Sequence, residues 1–154
     1  MMRILLTLLL AFLAVPALAQ DRYDNARFGY GVDIPSDYAG QGESANGDGQ
    51  AFRKSGTAEL LVWGGYLMGA FEEDAEAAMQ YAESDAWNVT KQATTPRWAE
   101  FSAIKGVRIL YQRMVLLCDG ASYAAFRLDY LVTDSGAIEA DINRLTRSLR
   151  GNGC

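Results

Sequence analysis

Between Trp98 and Leu131 the chain falls into three strand-like runs, Trp98 to Lys105, Val107 to Cys118 and Ala121 to Leu131, parted by Gly106 and by Asp119-Gly120. In the middle run Val107, Ile109, Tyr111, Val115 and Leu117 share one side, and Leu110, Met114 and Leu116 share the other. Side chains alternate across a strand, so a run that is apolar on both sides predicts a strand covered on both faces. Short glycine-bearing breaks between such runs predict a β-meander, and this one forms the expected centre of the fold.

Period two returns at Phe28, Tyr30, Val32 and Ile34, with Gly29, Gly31 and Asp33 opposite; Pro35 closes that strand by removing a backbone donor. Ser36 to Gly49 has no period and holds Gly40, Gly42, Gly47 and Gly49 among polar residues, which predicts a loop ending in turn chemistry at Asn46-Gly47-Asp48-Gly49. Ala51 to Lys54 and Ala58 to Trp63 predict a hairpin across Ser55-Gly56-Thr57. In its second arm Leu60 and Val62 point one way and Leu61 and Trp63 the other, so both faces are expected to be covered. Val89 to Thr95 predicts a short edge strand stopped by Pro96.

The period changes to that of a helix in two places. Phe71, Ala75, Ala78, Met79, Ala82 and Ala86 make one stripe, with Glu72, Glu73, Asp74, Glu76, Glu83 and Asp85 mostly outside it. Three of those acids stand in the first turn, where the helix dipole favours negative charge, and no basic residue lies between Lys54 and Lys91. This helix reads first as a solvated acidic flank and second as a docking surface for a basic partner. Gly136 to Arg150 predicts the other helix, capped by Asp134 or Ser135 and striped by Ile138, Ile142, Leu145 and Leu149. Its acids Glu139 and Asp141 come early and its arginines 144, 147 and 150 late, in agreement with the dipole. The expected fold class is α+β: a mainly antiparallel sheet of five or six strands with a helix on each face, an α/β/α sandwich.

The start of the chain assigns a compartment. Arg3, the apolar run from Ile4 to Val15 and Ala17-Leu18-Ala19 predict a secretory signal peptide over residues 1-19, followed by one globular domain over 20-154 that begins near Gln20. A membrane-crossing helix needs ~20 apolar residues, more than this run or any later one supplies. The mature chain is therefore expected to be soluble, periplasmic or secreted, with no membrane insertion after cleavage. The net charge of −5 becomes −6 when Arg3 leaves with the leader. Proteins that bind nucleic acid carry a basic footprint, so that class of partner is set aside. The two cysteines, Cys118 and Cys154, make an even count in an oxidising compartment and predict one disulfide.

Catalytic motifs are scarce. The absence of histidine excludes Ser-His and Cys-His dyads, histidine-ligated zinc and the usual base at neutral pH. Ser102-Ala-Ile-Lys105 has the Ser-x-x-Lys spacing, and Lys54-Ser55-Gly56 is similar to the Lys-Thr-Gly element of penicillin-binding enzymes. Here the serine lies in a strand rather than opening a helix, and the two elements come in the reverse order. Asp37, Glu43 and Asp48 put three acids in the polar loop without the ligand spacing of an EF-hand. No catalytic, cofactor-binding or metal residue is assigned, and no cofactor is implied. An alternative keeps Asp33, Glu100 and Asp129 as converging carboxylates, or Trp63, Trp87, Trp98 and Tyr111 as a pocket lining, in a small extracytoplasmic enzyme or ligand carrier. Asn88-Val89-Thr90 spells the glycosylation sequon.

Phe28-Gly-Tyr-Gly-Val-Asp-Ile-Pro35, Trp98 and Ser102 before Gly106, Tyr111, Tyr130 and the closing Ser148-Leu149 together resemble a set of small exported bacterial proteins of unknown function. These are similar in turn to the α/β/α sandwich of PsbP-type photosystem II extrinsic subunits and of nuclear Ran-binding proteins. The resemblance spans most of the chain from Phe28 to Leu149 and implies an accessory or binding role rather than catalysis. It carries over no functional residue. The function expected is an exported soluble accessory or binding module whose partner is a protein.

Overall fold

Ten strands and two helices organise residues 21–56 and 58–154, the part described by the computed structural model; the expected leader lies outside these residues. In chain order they are β1 (Asp21–Asn25), β2 (Tyr30–Ile34), β3 (Tyr38–Glu43), β4 (Gly49–Lys54), β5 (Ala58–Tyr66), α1 (Phe71–Ser84), β6 (Asn88–Thr94), β7 (Trp98–Lys105), β8 (Arg108–Leu116), β9 (Ser122–Leu131), α2 (Ser135–Ser148) and β10 (Arg150–Gly151). A 3-10 turn at Val132–Asp134 leads into α2. The chain has an α+β architecture with two antiparallel sheets, one of seven strands in the order β3-β4-β5-β9-β8-β7-β6 and one of three in the order β1-β2-β10.

The expectation of five or six strands in one sheet is thus corrected. Three strands lack an apolar signature because their pairing is carried by backbone. In β3 only Tyr38 is buried, so its glycine-rich sequence reads as loop while its main chain bonds β4. Asp21–Asn25 is polar yet pairs residue for residue with β2. Arg150 leaves the expected helix, which ends at Ser148, and pairs with Gly31 as Gly151 pairs with Tyr30. Val107, expected in the middle strand, sits exposed in the β7-β8 turn.

Strand register divides the large sheet into two faces. On one, Leu60 and Val62 of β5 stand beside Leu128 and Phe126 of β9. These pack with Tyr30, Val32 and Ile34 of β2 and Ile138 and Leu145 of α2, all fully buried. On the other face, Phe71, Ala75 and Ala82 of α1 cover Ala99, Phe101 and Ala103 of β7, Leu110 and Met114 of β8 and Ala125 of β9. Removing such side chains from water contributes about 1.5–3 kcal/mol for each large one, so these two layers dominate stability.

The two covers are staggered. α1 is the connection between β5 and β6, which run in the same direction on opposite sides of β9, β8 and β7. A crossover of this kind lays its helix over the strands it passes, and α1 packs chiefly on β6 and β7. The small sheet and α2 lie on the opposite face, packed on β9 and its neighbours toward β3. Each face therefore has one half buried under a second layer and one half open.

Both edges of the large sheet carry a β-bulge, between Gly40 and Glu43 in β3 and between Val89 and Lys91 in β6. Bulges and an edge lysine obstruct strand addition from another chain. At the end of the chain Cys118 and Cys154 are joined, with Cα atoms 5.6 Å apart, closing a span of 36 residues that holds β9 and α2. Gly151 lets the backbone pass beside the bridge, since a Cβ there would lie 2.7 Å from the Cys118 sulfur.

Candidate docking face and carboxylate clusters

The open half of the α1 face is built from alternate residues of three strands. β4 contributes Ala51 and Arg53, β5 contributes Glu59, Leu61 and Trp63, and β9 contributes Tyr123, Arg127 and Asp129, aligned by the pairs Ala51↔Leu61, Leu61↔Arg127 and Glu59↔Asp129. Leu61 is 43% exposed. The expectation that both faces of this strand are covered is corrected here: α1 has 14 residues and is committed to the far side of the sheet.

Where the open half meets α1 it deepens into a groove of about 240 Å³ lined by Trp63, Gln112, Met114 and Tyr123 from the sheet and Asp74 and Ala78 from the helix. The Trp63 indole N–H donates to the Tyr123 hydroxyl at 3.4 Å. Tyr66, 62% exposed, and Met68, 92% exposed, stand at the mouth. Tyr66 is braced edge-on against Phe28, with ring centroids 5.1 Å apart. The Met68 segment is pinned by the first turn of α1: Met68 N–H donates to the Asp74 carboxylate at 2.8 Å, and Ala70 N–H to Glu73 at 3.1 Å. Two of the three acids read from sequence as dipole partners thus hold the backbone that leads into the helix.

The charges on this half-face are partly matched. Arg53 pairs with Glu59 at 3.1 Å and Arg108 with Asp129 at 2.7 Å. Arg127 has no carboxylate partner among the described residues and lies 5.9 Å from the Trp87 ring centroid, a cation–π spacing. Glu72 and Glu83 of α1 are exposed and accept no hydrogen bond among the described residues.

On the opposite face the open half holds a different cluster. Glu100 accepts from the Tyr111 hydroxyl at 2.7 Å and from Arg113 at 2.6 Å, both on one oxygen. The Arg113 guanidinium lies 4.6 Å from the Trp98 ring centroid, and Tyr111 reaches Thr146 of α2 at 3.5 Å. Burial, with the Glu100 carboxylate beside it, pushes the Tyr111 hydroxyl up to about 12. A carboxylate engaged by a phenol and a guanidinium ties β7, β8 and α2 together, which is a positioning arrangement.

The remaining candidate residues are dispersed. Asp33 pairs with Arg22 at 3.2 Å on the small sheet, while Glu100 and Asp129 lie on opposite faces of the large one, so these three carboxylates do not converge. Trp63 and Trp87 belong to the α1 face, and Trp98 and Tyr111 to the other. Ser102 and Lys105, three apart in β7, point to opposite faces, and Lys105 donates to the Asp85 carbonyl at 2.7 Å. Lys54 is engaged by Asp37 at 2.7 Å and Asp141 at 3.1 Å, four strands away from Ser102. Among the acids of the Ser36 to Gly49 segment, Asp37 goes to Lys54, Glu43 accepts from Tyr23 at 3.0 Å, and Asp48 accepts from Ser44 at 2.6 Å.

Sequence reasoning missed Tyr66 and Met68, which follow the last residue of clear strand period, and the openness of the Leu61 side. The available signal was arithmetic: the single helical stripe from Phe71 to Ala86 is too narrow to cover a whole face of even a five- or six-stranded sheet.

No family model matches the chain, and no curated protein matches it in sequence. Solved structures do. The cyanobacterial PsbP (CyanoP) of Synechocystis sp. PCC 6803 is similar with a TM-score of 0.63 at 12% identity, covering 84% of this chain and 91% of that one. The Saccharomyces cerevisiae Ran-binding protein Mog1p is similar with a TM-score of 0.62 at 4% identity, covering 83% and 93%. LpqN of Mycobacterium tuberculosis, involved in cell envelope biogenesis, has a TM-score of 0.50 at 15% identity, covering 79% and 82%. At such identities the likeness shows a PsbP-like fold.

Proposed function

We propose that this chain is an exported, soluble accessory module that binds another protein through the open half-face beside α1. The observation that carries the reading is Leu61, 43% exposed on a sheet face between Arg127 across the strand pair and Trp63 along the strand, with Tyr123 beyond Trp63. Trp, Tyr and Arg are the residue types that dominate interface energetics, and an apolar patch with a polar rim marks an interaction site. The rim supplied by α1 carries Glu72, Glu73, Asp74, Glu76, Glu83 and Asp85 and no cation. Charge complementarity then calls for a partner that presents an apolar side chain among basic residues.

Fold analogy supports a binding role rather than a reaction, since Mog1p is a Ran-binding protein and LpqN is involved in cell envelope biogenesis. The leader-like sequence at residues 1–19 and the pairing of Cys118 with Cys154 support a periplasmic or secreted location. No helix among the described residues is long and apolar enough to cross a membrane.

Affinity capture from the exported fraction tests the reading. The wild-type chain should recover one specific basic partner, and Leu61→Arg, at an exposed position that tolerates the change in folding, should lose it at least tenfold. Repeated capture of no specific protein, or equal recovery by the variant, would overturn the proposal.

A further inference from the structure

On the side of the molecule away from α1, a polar cleft of about 470 Å³ is lined by Arg144, Arg147 and Ser148 of α2, Arg150 of β10, Asp33 of β2 and Ala140. None of the three arginines has a carboxylate within ion-pairing distance among the described residues. The acids that could serve them are engaged elsewhere. Asp33 is held by Arg22 at 3.2 Å, and Asp141 by Lys54 at 3.1 Å and the Tyr38 hydroxyl at 3.1 Å. The positions one turn before the arginines are Ala140, Asn143 and Thr146, so the helix offers them no i,i+4 carboxylate.

Ser148 is also committed, donating to the Arg144 carbonyl at 2.8 Å and accepting from Asp33 N–H at 3.0 Å. The cleft therefore concentrates three unmatched guanidinium groups in a chain whose net charge is −5. Arg144 is half-buried, so its charge is not simply solvated at the surface. Complementarity to the helix dipole explains one cation at a C-terminus, with an effective charge there of about half a unit, and leaves most of this excess unexplained.

We infer that this cleft is an oxyanion-binding site for a phosphate group, independent of the protein-docking face. Successive arginines on α2 rise by about 4.5 Å per three residues, which lets two guanidinium forks close on one tetrahedral anion. Arginine rather than lysine at all three positions suits planar, bidentate recognition of phosphate oxygens. The group can arrive as soluble phosphate or as the headgroup of an anionic lipid, and the chemistry of recognition is shared.

The test uses the full mature chain at low ionic strength. NMR titration with inorganic phosphate and with pyrophosphate follows the Arg side-chain N–H signals, and cosedimentation compares phosphatidylglycerol vesicles with phosphatidylcholine vesicles. Saturable binding of soluble phosphate, or of phosphatidylglycerol vesicles alone, supports the site and identifies the source. In either arm the double variant R144Q/R147Q should weaken binding at least tenfold. Arg147→Gln alone, at an exposed position, should weaken it severalfold should the double variant fold poorly. Arg97→Gln, exposed in the turn between β6 and β7, should leave binding unchanged. Absence of saturable binding in every arm, equal binding by Arg147→Gln, or stronger binding of an oligoglutamate peptide than of pyrophosphate would overturn the inference.

Discussion

At the scale of single residues, Asn25 shows how one buried polar side chain is engaged at both of its amide atoms. Asn25 is 1% exposed, and its amide donates to the Tyr23 hydroxyl at 3.1 Å, to Glu43 at 3.1 Å and to the Gly47 carbonyl at 2.9 Å, while its oxygen accepts from Phe28 N–H at 2.9 Å. This one side chain joins the β1-β2 turn to the β3-β4 turn. Nothing in a short polar stretch such as Asp21-Arg-Tyr-Asp-Asn25 distinguishes it from a surface loop, because partners distant in sequence give Asn25 its role. Asn25→Ala leaves the Gly47 carbonyl without this donor and the Phe28 N–H without this acceptor, and should cost about 2 kcal/mol in urea unfolding.

Asp119 makes the corresponding prediction in pH. The Ser122 hydroxyl and the N–H groups of Ala121 and Ser122 hold its carboxyl below its ordinary value of 3.8. The Ser44 hydroxyl does the same for Asp48. A carboxyl with a depressed folded-state value binds its proton less readily in the folded chain than in the unfolded one. Its contribution to stability is complete above the ordinary carboxylate range and is lost as pH falls below about 4. Urea midpoints measured from pH 7 down to pH 3 should fall at the acid end, and Asp119→Asn should flatten that fall.

At the scale of elements, what was legible in the sequence is what burial period encodes. The meander β7-β8-β9, the β4-β5 hairpin, the edge strand β6 and both helices announce themselves through apolar residues spaced by two or by three and four. β1, β3 and β10 stay hidden because hydrogen bonds rather than buried side chains hold them. The candidate site was legible in its ingredients and hidden in its state: Leu61 and Trp63 mark an apolar second face, but whether a helix reaches it depends on which strands α1 crosses. α2 was expected to carry a side-chain cap from Asp134 or Ser135. It begins instead from the 3-10 turn, with the Ser135 hydroxyl donating to the Val132 carbonyl at 2.7 Å. The chain beyond β10 is tied back to the end of the β8 segment by the Cys118–Cys154 pair, which the chain-entropy model credits with at most about 4 kcal/mol for a span of 36 residues. A C118S/C154S variant should lose stability up to that amount. Mass spectrometry of the unreduced protein should find the linked peptide, and free thiols would contradict the bridge.

At the scale of the whole molecule, staggered layers are the organising fact. A seven-stranded sheet carries α1 over one half of one face and the small sheet with α2 over the other half of the opposite face. The buried halves supply stability. The open halves are unequal: one is closed upon itself by Glu100, Tyr111 and Arg113, and the other presents Leu61, Trp63, Tyr123 and Tyr66 beside an acidic rim. Long-range attraction from that rim is screened by salt, so association with a basic partner should slow as ionic strength rises past 0.1 M, where the Debye length falls to about 10 Å.

The central claim, that the uncovered half beside α1 is the docking face, is tested most directly by site-specific photocrosslinking in cells that produce the protein. A benzophenone side chain in place of Leu61 should yield one discrete adduct of higher mass, and the same group in place of Ile104, on the opposite face, should yield none. Adducts at Ile104 without any at Leu61 would contradict the account.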